Sequence, residues 1–133
     1  MKEEVLRIYV KLEDTITIHG NRERVNMIRF SGYAKSKYFC GEVLPGGADL
    51  QRGPIEGSMK LSARYILEGT DFEGKSCRIY IENNGAADEN GVIVTKPTIV
   101  TDSKALARME TADMTGAISS ENNMVVIHIY WSV

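Results

Sequence analysis

From Val5 to Leu12 the chain alternates between apolar and polar residues. Leu6, Ile8, Val10 and Leu12 fall on one face, and Arg7, Tyr9 and Lys11 on the other. A period of two marks a strand with one face buried. Glu13-Asp14 reads as a turn or bulge. The next residues, Thr15 to Ile18, are all β-branched, which suits a strand and not a helix. His19-Gly20-Asn21 is a turn. Further strands are predicted over 24–32 and 38–44, the latter closed by Pro45-Gly46-Gly47.

The segment from Met59 to Glu68 alternates most clearly. Leu61, Ala63, Tyr65 and Leu67 share one face, and Ser62, Arg64, Ile66 and Glu68 the other. A glycine-bounded connector, Gly69 to Gly74, leads to a partner strand over 75–83, and Asn84-Gly85 is a turn signal. Residues 86–91 read as an exposed loop. Val92 to Thr95 and Pro97 to Thr101 read as two short β pieces split at Lys96-Pro97. Asp102 to Glu110 holds helix formers behind a capping-type start, so one short helix is predicted near 102–110. Residues 111–119 read as a return to strand. The closing run Met124 to Val133 is apolar on both faces, a pattern expected of a strand covered on both sides or by a second subunit.

This gives about eight to ten strands at a spacing of ~8–12 residues, with glycine, asparagine and proline turns between them. The expectation is an all-β fold: one antiparallel β-barrel domain over residues 1–133, closed so that no sheet edge is exposed. A barrel of about eight strands is either filled by its own side chains or holds one small ligand.

Composition narrows the partners. A net charge of −2 with no basic run argues against nucleic acid, because phosphate contact needs clustered cations. The polar start Met1-Lys2-Glu3-Glu4 and the lack of a long apolar run point to a cytoplasmic protein without membrane contact. The two cysteines, Cys40 and Cys77, form no C-x-x-C pair. They read as reduced, buried, small apolar residues. His19 and His128 are too isolated to suggest a metal site, and no motif calls for a cofactor.

Three blocks carry a resemblance: G-G-A-D-L-Q (Gly46 to Gln51), S-A-R-Y (Ser62 to Tyr65) and I-E-N-N-G (Ile81 to Gly85). In this order and spacing they resemble the small proteins grouped as domain of unknown function 3237. Pro97 and the closing I-Y-W-S-V fit the same pattern. The resemblance implies an antiparallel β-barrel and no established activity. The chain departs from it at Leu50, where many relatives carry an aromatic, and at Arg108-Met109, where they tend to carry W-L.

Four polar residues in the central block ask for more than folding. Asp49 and Gln51 follow a glycine pair, and Arg64 sits mid-strand among apolar residues, where burial without a partner is costly. One reading has Arg64 anchoring an anionic group in the barrel mouth, with Asp49 or Gln51 orienting the ligand. The other has a structural ion pair with Asp49 or Glu82, or a solvated outer-face arginine. Glu82 and Tyr80 share a strand face, and a carboxylate beside a tyrosine inside a cavity would be a general base with a raised pKa. His128 adds a group that titrates near neutral pH. The alternatives are a strand showing its polar face to water and a hydrogen-bonded bystander histidine.

Three functions follow as expectations. The first is binding of a small, partly apolar ligand through Asp49, Gln51 and Arg64. The second is a cofactor-independent isomerase, cyclase or lyase using Glu82, Tyr80 and His128. The third is a structural or assembly protein with a filled barrel. The two-sided closing strand suggests a homodimer.

Overall fold

The computed structural model describes residues 1–133. Nine strands follow in chain order: β1 Lys2–His19, β2 Glu23–Lys35, β3 Phe39–Val43, β4 Ala48–Pro54, β5 Lys60–Asp71, β6 Ser76–Ala87, β7 Ile93–Thr101, β8 Met114–Glu121 and β9 Met124–Ser132. All pair antiparallel in one sheet. β1 pairs with both β9 and β2, β2 pairs with β3 at one end and β4 at the other, and β3 and β4 both pair with β5. The sheet thereby closes into a barrel, as the alternation predicted. Its thinnest seam is β7 with β8, joined only at Val94–Ala117 and Thr95–Gly116.

The apolar faces read from the alternation turn inwards, except that Leu12 is exposed at the open end of β1. Leu6, Ile8, Val10, Tyr65, Leu67, Ile79 and Ile81 are all buried in one core. The Glu13-Asp14 irregularity is a register shift between Leu12 and Thr15, and β1 continues beyond it to the hairpin tip. Several boundaries differ from expectation: β2 runs on through Ser31-Gly32 to Lys35, and residues 48–54, where no strand is predicted, form β4. β6 runs through Asn84-Gly85 to Ala87, so that pair is strand and not turn. Residues 93–101 form one strand through Pro97, which stands opposite Asn83. Proline is tolerated there because pairing with β8 has already stopped at Thr95, so no ladder partner is denied a donor.

The segment predicted as a helix near 102–110 is a short 3-10 turn, Ala107–Glu110. It plugs one end of the barrel: Leu106 and Met109 are buried in the same core as Trp131 and Phe39. Ser103 holds the entry to this plug by donating to Asp71 Oδ2 at 2.8 Å. The closing strand is two-sided, as expected, and Val126, on its outer side, is fully buried within the single chain. Cys77 is buried, but Cys40 is exposed, which corrects the expectation that both thiols are interior. Cys40 sits between inward-facing Phe39 and Gly41 on short β3, and its side chain points outwards. No helix is long and apolar enough to cross a membrane.

Candidate functional site

The end opposite the plug is open. A cavity of about 180 Å³ lies there, lined mostly by apolar residues, with Leu12, Ile28, Leu61, Ile93 and Ile118 among them. The register explains why space remains. One inner row runs Ile28, Asp49, Ala63, Asn83 across β2, β4, β5 and β6. The next runs Asn26, Gln51, Leu61, Gly85, Thr95, Gly116. Ala63 is small, and an inward-facing small residue leaves a void that a larger one would fill, whereas Thr95 fills the space beside Gly85 and Gly116.

Polar groups project into this apolar space. Asn83 and Thr95 are each 3% exposed, yet Asn83 Oδ1 and Thr95 Oγ1 accept or donate no hydrogen bond within the chain. Asp49 Oδ1 is likewise buried and unpartnered. Buried polar groups are ordinarily satisfied, so three unpaired atoms around one cavity make it the candidate site. Asp49 Oδ2 accepts from Gln51 Nε2 at 3.4 Å, Gln51 Oε1 accepts from Asn26 Nδ2 at 3.2 Å, and Asn26 Oδ1 accepts from Thr17 at 2.8 Å. This relay orients the Asp49 carboxyl from the hairpin side. Burial pushes the Asp49 pKa up, partly offset by the Gln51 hydrogen bond.

Of the residues named from the sequence, Asp49 and Gln51 line the cavity and Arg64 does not. Arg64 points outwards, with its side chain 58% exposed and its Nε 3.8 Å from Glu82 Oε1. The solvated outer-face reading is the one its position matches, because Ala63 and Tyr65 take the inner side. Glu82 and Tyr80 share that outer wall. Tyr80 donates to Glu82 Oε1 at 2.9 Å, and Asn84 to Glu82 Oε2 at 3.1 Å. Those two donors, Asn84 first, hold the Glu82 carboxyl below its usual range. This corrects the expectation of a raised value, which assumed an apolar cavity around it. His128 also faces outwards, between Glu4 and Ser119. Asn83 and Thr95 were not singled out from the sequence. Asn83 could have been, since it continues the inward alternation Cys77, Ile79, Ile81. Thr95 needs the β7–β8 register, which the sequence does not display.

No group of three or more histidine, cysteine or carboxylate side chains is arranged to hold a metal ion. No basic side chain lines the cavity, and its one ionisable lining group is Asp49.

Comparison with known proteins agrees with this architecture. The family described as protein of unknown function (DUF3237) matches residues 2–131. A UPF0311 protein of Clostridium acetobutylicum is 39% identical over 88 residues, covering 62% of this chain and 52% of its own length. The chain thus spans about half the length of that curated relative. A crystal structure of a protein with unknown function from Clostridium acetobutylicum superposes with a TM-score of 0.83 at 30% identity, over 100% of this chain and 99% of that one. A β-barrel-like protein from Acinetobacter baumannii superposes with a TM-score of 0.79 at 16% identity, over 98% and 94% of the two chains, and shows the shared fold.

Proposed function

The chain belongs to the DUF3237 family of proteins of unknown function, and from that premise we propose that its barrel binds a small, partly apolar, uncharged ligand bearing hydroxyl or amide N–H groups. The observation that carries this is the set of unpaired buried atoms, Asp49 Oδ1, Asn83 Oδ1 and Thr95 Oγ1, around one apolar cavity. A ligand donor would satisfy each of them, and its hydrocarbon part would cover Ile28, Ile93 and Ile118. An anionic ligand is disfavoured. The expected anchor Arg64 lies outside, and an anion would meet Asp49 without a neutralising cation. The enclosed volume of about 180 Å³ falls below the ~300 Å³ typical of small-molecule sites. A larger ligand would therefore protrude through the mouth between Leu12 and Ile93.

Fragment binding tests this. Benzyl alcohol and benzoate differ chiefly in charge. Amide NMR shifts for benzyl alcohol should concentrate on residues 49–51, 83–85 and 93–95, with benzoate giving none. Asn83→Leu should weaken the alcohol. Equal response to both fragments, or shifts away from the open end, would sink the proposal. Native mass spectrometry of the purified protein asks the same question of its natural ligand.

A second reading is favoured by one observation. A carboxyl whose pKa is raised by burial in an apolar pocket is the environment of a general acid or base. On this reading the protein is a cofactor-independent enzyme that moves a proton at Asp49, where the sequence pointed to Glu82, Tyr80 and His128. Asp49→Asn would then keep ligand binding and lose turnover. Turnover retained in that variant would leave binding as the function.

A further inference from the structure

Three strands bring a serine, a histidine and a carboxylate together on the outer wall, away from the cavity. Ser119 of β8 stands opposite Val126, and His128 of β9 opposite Ala117, so the two are diagonal neighbours. Glu4 arrives from β1 beside the register shift between Glu4 and Leu6. Ser119 Oγ lies 2.8 Å from His128 Nε2, and His128 Nδ1 lies 2.7 Å from Glu4 Oε2. One tautomer satisfies both contacts. Nδ1–H donates to Glu4, and Nε2 accepts the serine proton. That is the arrangement in which an imidazole withdraws a proton from a hydroxyl while a carboxylate fixes its ring.

The surroundings hold the trio in place. Glu4 Oε1 accepts from Arg7 Nε at 2.9 Å, so the carboxylate is oriented from its other oxygen. The His128 ring stacks on Tyr130, with centroids 6.4 Å apart. The His128 side chain is 19% exposed, whereas Ser119 is open to solvent. The base is sheltered and the hydroxyl is accessible.

We propose that Ser119 is a nucleophile activated by His128, with Glu4 as a positioning residue, and that this wall hydrolyses small, activated carboxylic esters. Ser119 Oγ bonds to the ester carbonyl carbon as its proton passes to His128 Nε2. The carbonyl–alkoxy bond then breaks, and the leaving alkoxide takes that proton. A water deprotonated by the same nitrogen attacks the acyl-serine, and the carboxylic acid departs as Ser119 recovers its proton. Arg7 brings positive charge to the same face. The wall has no enclosing pocket there, so turnover is slow and selectivity low.

A fluorophosphonate probe followed by peptide mass spectrometry tests this on the intact protein. It forms a phosphorus–oxygen bond at an activated serine and releases fluoride. Ser119 should label about 100-fold faster than its neighbour Ser120, the scale of a general-base contribution. His128→Gln should remove that advantage. Glu4→Gln should slow labelling of Ser119 and Glu4→Asp should restore part of it, which a merely structural carboxylate would not do. Hydrolysis of p-nitrophenyl acetate should fall at least about tenfold in Ser119→Ala. That substitution is exposed and should leave the unfolding midpoint unchanged, so it decides the matter even if His128→Gln fails to fold. Equal labelling of Ser119 and Ser120, or unchanged ester hydrolysis in Ser119→Ala, would overturn the proposal.

Discussion

The hydroxyl of Thr95 occupies the space that a side chain at Gly116 would need, so the residue opposite it on β8 can carry none. The same spot lies against Asn83 Oδ1. Gly116→Ala should therefore push Thr95 off its rotamer and disturb the cavity floor, at a cost of about 1–3 kcal/mol. Thr95→Ala removes the obstructing oxygen. The double variant should lose less stability than the two single losses added together, which urea unfolding of all four proteins would measure. Simple additivity would mean that the two positions do not share this space.

Legibility in the sequence follows the range of each signal. The grouping of side chains into two faces on β1 and β5 is readable because period-two alternation is local, while which face turns inwards is not; Arg64 points outwards because Ala63, Tyr65 and Leu67 turn inwards. Asp49 and Gln51 stand out as polar residues after a glycine pair, although the strand β4 that turns both inwards around Leu50 is not predicted. Asn83 is masked by the opposite face of its strand, where Tyr80 and Glu82 carry the more reactive groups. Thr95 and Gly116 depend on a two-pair register between strands joined by the plug segment, and no local pattern carries that. The trio on the outer wall needs the first and last strands to meet, with Glu4 and His128 separated by 124 positions in the chain.

Arg64 and Glu82 form an exposed cross-strand pair at 3.8 Å, a long contact in solvent. Pairs of this kind contribute about 0–1 kcal/mol. Arg64→Ala should change the unfolding free energy by less than about 1 kcal/mol and leave fragment binding at the open end unaltered. A loss of binding in this variant would tie the outer wall to the cavity and argue against their separation.

Glu3 should govern part of the acid stability. Its carboxylate accepts from Lys37 Nζ at 2.9 Å, Trp131 Nε1 at 3.0 Å and Tyr38 Oη at 2.9 Å. These donors, Lys37 foremost, hold its pKa down to about 2 from an ordinary 4.5. A carboxyl with a depressed folded value stabilises the fold above its unfolded pKa, and the benefit fades as pH falls through the folded one. Glu3→Gln should therefore lower the unfolding midpoint at pH 7. The gap to the parent should narrow from pH 4.5 downwards and close near pH 2. A gap that stayed constant across this window would show that Glu3 acts through packing and not through its charge.

Asp49 should behave in the opposite sense. Burial raises its pKa above the ordinary 3.8, so the folded chain holds this proton more tightly than the unfolded chain does. The ionised form is thus a cost to the fold above that value, relieved when the carboxyl is protonated at lower pH. Asp49→Asn keeps the shape, retains an oxygen for Gln51 and removes the buried charge. It should stabilise the protein at pH 7 by on the order of 1 kcal/mol, within the range for an unsatisfied buried group. The gain should disappear as pH falls below 3.8, where the parent carboxyl is neutral in both states. Parallel unfolding curves at pH 7 and pH 3 measure it. A residue that lowers stability where it stands, at the open end of an otherwise apolar cavity, is the expected mark of a group retained for binding or proton transfer. If Asp49→Asn were instead destabilising at pH 7, Asp49 would be a structural residue of the β4 wall, and both readings of the cavity would lose their central group.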